Sequence, residues 1–328
     1  MRGRTLLVAL VLSTVVASAA APPTAAADAP QTVESCNDAL TALRGLAGSP
    51  AFDDYSEFEV IRSQAVTQAQ VGTCDDGKVE TLGAVVAVLR SFTGAYRASE
   101  NGSAAQALEG ANATRSHIQT LRSQGVQQYV ALSQLALDRF YSALGDKLAA
   151  RAREATRTPD EIDRLGLAAT AYKQAGSTQR FSKLTVRMQD LSAQFSADMD
   201  AVDDTTATTK SFLASCSACS SPAAAAASPV ETVRKYARVR RLQSRLGTAS
   251  DRLESHGLDP DTRDVATLRE RVSSSLLALA AGAALFLLGF TLVVALLAAV
   301  VAWRVGLWER DLTDARVDEI VLTGGFSE

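Results

Sequence analysis

VSSSLLALAAGAALFLLGFTLVVALLAAVVAW, residues 272–303, contains no charged side chain, and from 276 to 303 it is built almost wholly from Leu, Ala, Val, Phe and Gly. A membrane-spanning helix needs roughly 20 apolar residues. This run exceeds that length, so a spanning helix here is expected to tilt or to project beyond the hydrocarbon. A buried core helix rarely runs so far without a polar contact. The only two tryptophans, Trp303 and Trp308, bracket Arg304 at one edge, as an interfacial aromatic belt does.

Flanking charge does not orient the span. Arg263, Arg269 and Arg271 precede it, and Arg304, Arg310 and Arg316 follow it, so the positive-inside count is tied. The N-terminus breaks the tie. Arg2 and Arg4, a short apolar run over 6–16, and A-x-A patterns at 17–19 and 25–27 follow the layout of a secretory signal. Cleavage after residue 27 places residues 28–271 outside the cell and the tail 304–328 in the cytoplasm. A tail of that length is too short to enclose a folded domain. The expected location is the plasma membrane, in single-pass type I topology.

The charges nearly balance, with 33 Lys and Arg against 36 Asp and Glu. No strong overall field is present to recruit nucleic acid, and the bilayer is the expected partner. Helical periodicity dominates the exported part. Val79, Leu82, Val86, Leu89, Phe92 and Tyr96 recur at steps of three and four. After Gly125, Val126, Val130, Leu137, Phe140, Leu144 and Leu148 fall at steps of three, four and seven. Further stripes run through Ile162, Leu165, Ala169 and Tyr172, and then through Phe181, Leu184, Met188, Leu191, Phe195 and Val202.

Thr158-Pro159-Asp160-Glu161 and Ser228-Pro229-Val230-Glu231 read as capping boxes, with a hydroxyl N-cap, Pro at N1 and Glu at N3. Asp259-Pro260-Asp261 and Ser49-Pro50 look like partial versions. "LGLAATAYKQAGS" (165–177) resembles the helix–turn–helix of tetratricopeptide repeats over about 30 residues, but its aromatic is displaced and no third copy follows at the 34-residue period. The fold class is therefore all-α: an extracytoplasmic bundle of antiparallel helical hairpins over 28–215, plus one C-terminal transmembrane helix. Residues 216–228 read as a Cys/Ser/Pro/Ala linker and 229–271 as a basic juxtamembrane stalk helix.

In that stalk Val239, Leu242, Leu246, Ala249 and Leu253 alternate four and three, the spacing of a short coiled coil. Arg234, Arg238, Arg240, Arg241 and Arg245 crowd the remaining positions and form the most specific binding candidate. They suit a second chain, anionic headgroups or an acidic surface polymer, or simply a solvated helix face. Ala278, Gly282, Leu285 and Gly289 make a face with small residues in the span, which permits close helix approach in lipid. Self-association through stalk and span, or docking on a protein partner, follows as an expectation.

The four cysteines are Cys36, Cys74, Cys216 and Cys219. An exported chain with an even count is expected to form disulfides, and four cysteines allow three pairings. Cys36–Cys74 and a tight local Cys216–Cys219 ring are favoured. Thioredoxin-type chemistry places its first Cys at a helix N-terminus in a βαβ setting. Cys216-Ser217-Ala218-Cys219 instead follows a helix and precedes Ser-Ser-Pro and five alanines. His117 and His256 are isolated and expected at the surface, His256 at a helix end where the dipole favours a cation. Neither a metal site nor a cofactor site is expected. Asn101-Gly102-Ser103 and Asn112-Ala113-Thr114 are N-x-[ST] sequons, expected on one face of a polar helix over 103–123. The leading functional expectation is a non-enzymatic cell-surface interaction or structural protein. A thiol–disulfide exchange protein, or an accessory subunit of a transport or signalling complex, is the alternative.

Overall fold

The structure, a computed structural model, describes residues 33–322, with side chains through Arg310. Residues 1–27, expected to form the signal segment, and residues 323–328 lie outside the described residues. Among the described residues the chain is all-α, with no strand. The helices are α1 (Cys36–Gly45), α2 (Pro50–Asp54), α3 (Ser56–Gln70), α4 (Asp76–Glu100), α5 (Ala104–Ser123), α6 (Gln127–Arg153), α7 (Thr158–Gln174), α8 (Thr178–Ser215), α9 (Pro222–Ala227), α10 (Pro229–Ser255) and α11 (Val265–Leu322). Two 3-10 turns, Ser217–Cys219 and Pro260–Arg263, interrupt the C-terminal part. Two compact units divide the chain. The first comprises 33–100 and 109–136, and the second 101–108 and 137–322.

In unit 1 the apolar stripe of α4 meets α1, α2 and α3. Leu82, Val85, Val86, Leu89 and Phe92 are buried there with Leu43, Phe52, Phe58 and Ile61. Phe58 and Phe92 have ring centroids 4.1 Å apart, and Tyr55 meets Phe92 edge-on at 5.2 Å. Such aromatic pairs contribute beyond their buried area, by about 0.5–1.5 kcal/mol each. The α4 and α5 backbones approach closely where Gly110 faces Ala95, and a Cβ added at Gly110 would lie 3.0 Å from the Ala95 Cβ. Cys36 and Cys74 lie at disulfide distance, with Cα atoms 6.1 Å apart, and tie the start of α1 to the segment entering α4.

Unit 2 is organised around a core shared by the C-terminal half of α8, the turn Ser217–Cys219, α9, α10 and the first turns of α11. The α10 stripe Val239, Leu242, Leu246, Ala249 and Leu253 is fully buried in this core. Heptad-like spacing reads the same whether the covering helix belongs to a second chain or to the same chain. Here α8, α9 and α11 of the same chain supply the cover. The N-terminal half of α8 is different: Phe181, Leu184, Met188 and Leu191 are only half-buried, because that part pairs with α7 alone as a two-helix hairpin.

Two segments and two helix caps differ from the sequence reading. Residues 216–228 form packed structure, with Cys216, Ala218 and Ala225 in the core; small side chains let this segment lie close to its neighbours. Residues 229–271 form two helices and a reversal. Gly257 takes φ 66° and Asp264 φ 58°, and Pro260 disfavours helix at Asp259, so α10 ends and α11 starts afresh. Neither expected capping box forms at its hydroxyl. The Thr158 hydroxyl turns to His256 Nδ1 at 3.0 Å, and Ser228 makes no side-chain cap bond. Ser35, Ser221 and Asp259 supply true side-chain caps, to the amides of Asp38, Ala224 and Asp261.

Candidate membrane-proximal site

Helix α11 changes character partway along its length. Val265, Leu268, Val272, Ser275, Leu279 and Gly282 are buried at the three- and four-residue steps of one helix face. Every residue over 284–303 is exposed and uncharged, about 20 residues or ~30 Å at 1.5 Å per residue. That equals the hydrocarbon thickness of a typical bilayer. The rest of the uncharged run, 272–283, packs along one face into unit 2, so 284–303 is the part long and exposed enough to be a candidate span. Trp303 and Trp308, 68% and 69% exposed, flank Arg304 at the far end.

The exposed run begins where α9 seats on α11. A Cβ added at Gly282 would lie 2.3 Å from the Ala225 Cβ, 2.8 Å from the Pro222 carbonyl oxygen and 3.1 Å from the Ala226 nitrogen. Only glycine allows this approach. Part of the small-residue face of this apolar helix is therefore occupied within the chain, whereas a Cβ added at Gly289 would meet nothing within 4 Å among the described residues beyond its own helix turn. Thr232, on the first turn of α10, donates its hydroxyl to the Ala225 carbonyl at 2.6 Å. Gly282, Ala225 and Thr232 consequently fix α9 and the start of α10 at the depth where the apolar run emerges.

Around that depth α10 exposes Val230 and Val233, each 68% exposed, together with Tyr236. The five arginines follow along the same helix, and the structure does not treat them alike. Arg238 lies over the Phe212 ring at 5.2 Å. Arg234, Arg240, Arg241 and Arg245 are exposed and make no ion pair among the described residues. No Asp or Glu occurs between Glu231, which pairs with Lys235 at 2.5 Å, and Asp251.

Cys216 caps the C-terminus of α8 and is buried, Cys219 ends the following turn, and their sulfurs are at disulfide distance. A thiolate at Cys216 would face the negative end of the α8 dipole, opposite to the arrangement that lowers a cysteine pKa. The ring closes the corner from which α9 departs.

His256 is buried, contrary to its expected surface position. Its Nε2 lies 3.1 Å from Asp198 Oδ2 on α8, its Nδ1 faces Thr158 on α7, and its ring meets Phe195 edge-on at 5.1 Å. The Thr158 amide donates to the His256 carbonyl at 3.1 Å. Nearby, Arg263 pairs with Asp203, and Lys210 pairs with Asp264 at 2.8 Å and holds that carboxyl below its ordinary range by hydrogen bonding and charge. These contacts fasten the α10–α11 reversal to α7 and α8. His117 is half-buried on α5, and burial lowers its pKa.

The sequons do not share a helix face. Asn101 lies in the turn before α5, which starts at Ala104, whereas Asn112 is within it; both are exposed. Unit 1 has an open groove of about 570 Å³ lined by Thr67, Val71, Lys78 and Val126. Its lysine already donates to the Val71 carbonyl at 2.7 Å.

The sequence marks the arginines and the cysteines, gives no sign of Ala225 or Thr232, and points to the surface for His256, which is buried. An alanine run carries no chemical signature, and the partners of His256 are distant in sequence. Comparison with protein-family models, with curated proteins and with solved structures finds no significant match.

Proposed function

We propose that the protein is a non-enzymatic, single-pass protein of the plasma membrane that displays a helical interaction or structural domain outside the cell and keeps a short tail in the cytoplasm. The observation that carries this reading is the division of α11 into a segment, 265–283, rooted in unit 2 and an exposed, uncharged segment, 284–303, of bilayer length. A loose tether would leave the domain free to wander. Rooting through Gly282 and α9 instead holds unit 2 against the membrane surface, which suits a protein presenting a surface at a defined height.

Support for the non-enzymatic part comes from the cysteines and histidines. Cys216 sits at a helix C-terminus and is buried, and His256 is committed to Asp198 and Thr158. The outward orientation rests on the leader-like N-terminus and on the cysteine pairs, which suit an oxidising compartment. Trypsin treatment of intact cells, followed by mass spectrometry, tests it. Peptides from 33–271 should be released without permeabilisation, and peptides beyond Arg304 only after it. Release of the tail alone from intact cells would reverse the topology.

A further inference from the structure

We propose that the first three turns of α10 form a lipid-headgroup collar that binds anionic phospholipids of the leaflet through which α11 enters. This rests on the reading of α11 as a membrane span. Depth is set by contacts within unit 2. Gly282 touches Ala225, Ala225 accepts the Thr232 hydroxyl, and the exposed Val230 and Val233 flank Thr232. The exposed apolar run of α11 starts at 284, just beyond this level. The two valines therefore stand at the boundary between hydrocarbon and headgroups, where an apolar side chain on a surface helix inserts.

From there α10 returns along α11 away from the bilayer. At 1.5 Å per residue, Arg234 stands about 6 Å above Val230, and Arg240 and Arg241 about 15–17 Å above it. The headgroup layer of one leaflet is roughly 5–8 Å deep, and a Debye length adds about 8 Å at physiological salt. All three guanidiniums thus lie within or just over the charged layer. They are exposed, without a carboxylate partner among the described residues, and no acidic residue interrupts α10 between Glu231 and Asp251. Tyr236, 41% exposed, supplies an amphipathic ring between the valines and the upper arginines. Apolar side chains below an aromatic and a stack of unpaired arginines match the polarity gradient of an anionic bilayer surface. An acidic polymer in solution would leave the valines wet.

The full-length protein is to be reconstituted in nanodiscs of equimolar phosphatidylcholine and phosphatidylglycerol, extracted in mild detergent, and the co-retained lipid quantified by mass spectrometry. One cation near an anionic surface contributes about 1 kcal/mol, which corresponds to about fivefold. Wild type should retain phosphatidylglycerol enriched by about that factor over the bulk ratio. The triple variant Arg234→Gln, Arg240→Gln, Arg241→Gln should lose most of the enrichment while keeping its helical circular dichroism and its disc incorporation. In wild type alone, approaching 1 M salt, where the Debye length is about 3 Å, should also remove it. Bulk-ratio lipid on wild type, equal enrichment in the variant, or retention of an added acidic polysaccharide in place of lipid would overturn the collar. Failure to enter the discs at all would instead strike at the span.

Discussion

Gly282→Ala and Gly289→Ala make a matched pair within one apolar helix. At Gly289 the added methyl meets nothing within 4 Å, and at Gly282 it lands 2.3 Å from the Ala225 Cβ and 2.8 Å from the Pro222 carbonyl oxygen. Both substitutions gain helix propensity, up to about 1 kcal/mol, so the difference between the variants isolates the clash. The obstructing atoms at Gly282 are backbone and a Cβ, which cannot rotate away, so α9 must shift and carry the Thr232 bond and the Cys216–Cys219 corner with it. Overpacking of this kind costs about 1–3 kcal/mol. For a unit of this size each kcal/mol moves the melting temperature by roughly 2–4 °C. Gly282→Ala should therefore melt about 3–10 °C below Gly289→Ala, measured by circular dichroism in the same detergent. Amide exchange should quicken at 222–232 and nowhere in α4. Equal melting temperatures with unchanged exchange would mean that α9 does not seat on α11, and that 216–228 is the linker its composition suggests.

The two cysteine pairs should differ in weight. Cys36→Ser with Cys74→Ser opens a loop of 38 residues and should lower the stability of unit 1 by about 3–4 kcal/mol in the chain-entropy account; Cys216→Ser with Cys219→Ser should cost clearly less in denaturant titrations. His256→Ala removes a buried ring and strands the Thr158 hydroxyl, while Asp198 keeps its ion pair with Arg252 at 3.3 Å; it should destabilise unit 2 by about 2–4 kcal/mol, with a loss below about 0.5 kcal/mol arguing against the fastening role. Tyr129 Oη and Ser133 Oγ are buried without a hydrogen-bond partner among the described residues, so Tyr129→Phe should be neutral or stabilising by up to about 1 kcal/mol; a marked loss would show that a bound water satisfies the phenol. Arg62 hydrogen-bonds Glu59 and holds its carboxyl below the ordinary value of 4.5, so the pair stabilises unit 1 above that pH and ceases to as pH falls through the lowered folded-state value. The stability gap between wild type and Glu59→Gln should accordingly close in acid, and a gap that widened below pH 4.5 would contradict the sign.

Much of the fold could be read from residue spacing. Leu82, Val86, Leu89 and Phe92 are core as their periodicity required, and Leu137, Phe140, Leu144 and Leu148 likewise. Tyr129 and Tyr141, the largest fully buried side chains, each lie one position beside the stripe, next to Val130 and Phe140, so a stripe one residue wide leaves them out. The stripe of α10 announced burial but not the partner, since covering helices from one chain or two impose the same repeat. Thr158 satisfied every local requirement of a capping box, and a tertiary contact 98 residues away took its hydroxyl instead. The candidate site was legible as charge, through its arginines, and illegible as depth. Depth is set by Gly282 against Ala225, two small residues whose meaning lies only in what they permit to approach.

Nitroxide labels scanned along α11 in reconstituted discs, with relaxation by oxygen and by an aqueous nickel chelate, test the central division of that helix most directly. Sites 285, 288 and 292 should be reached by oxygen and shielded from nickel, whereas 280 and 281, at headgroup level, and 277, above it, should respond to nickel. Oxygen-dominated relaxation running unbroken from 273 to 303 would contradict a helix rooted in unit 2, and nickel access throughout 284–303 would contradict a span.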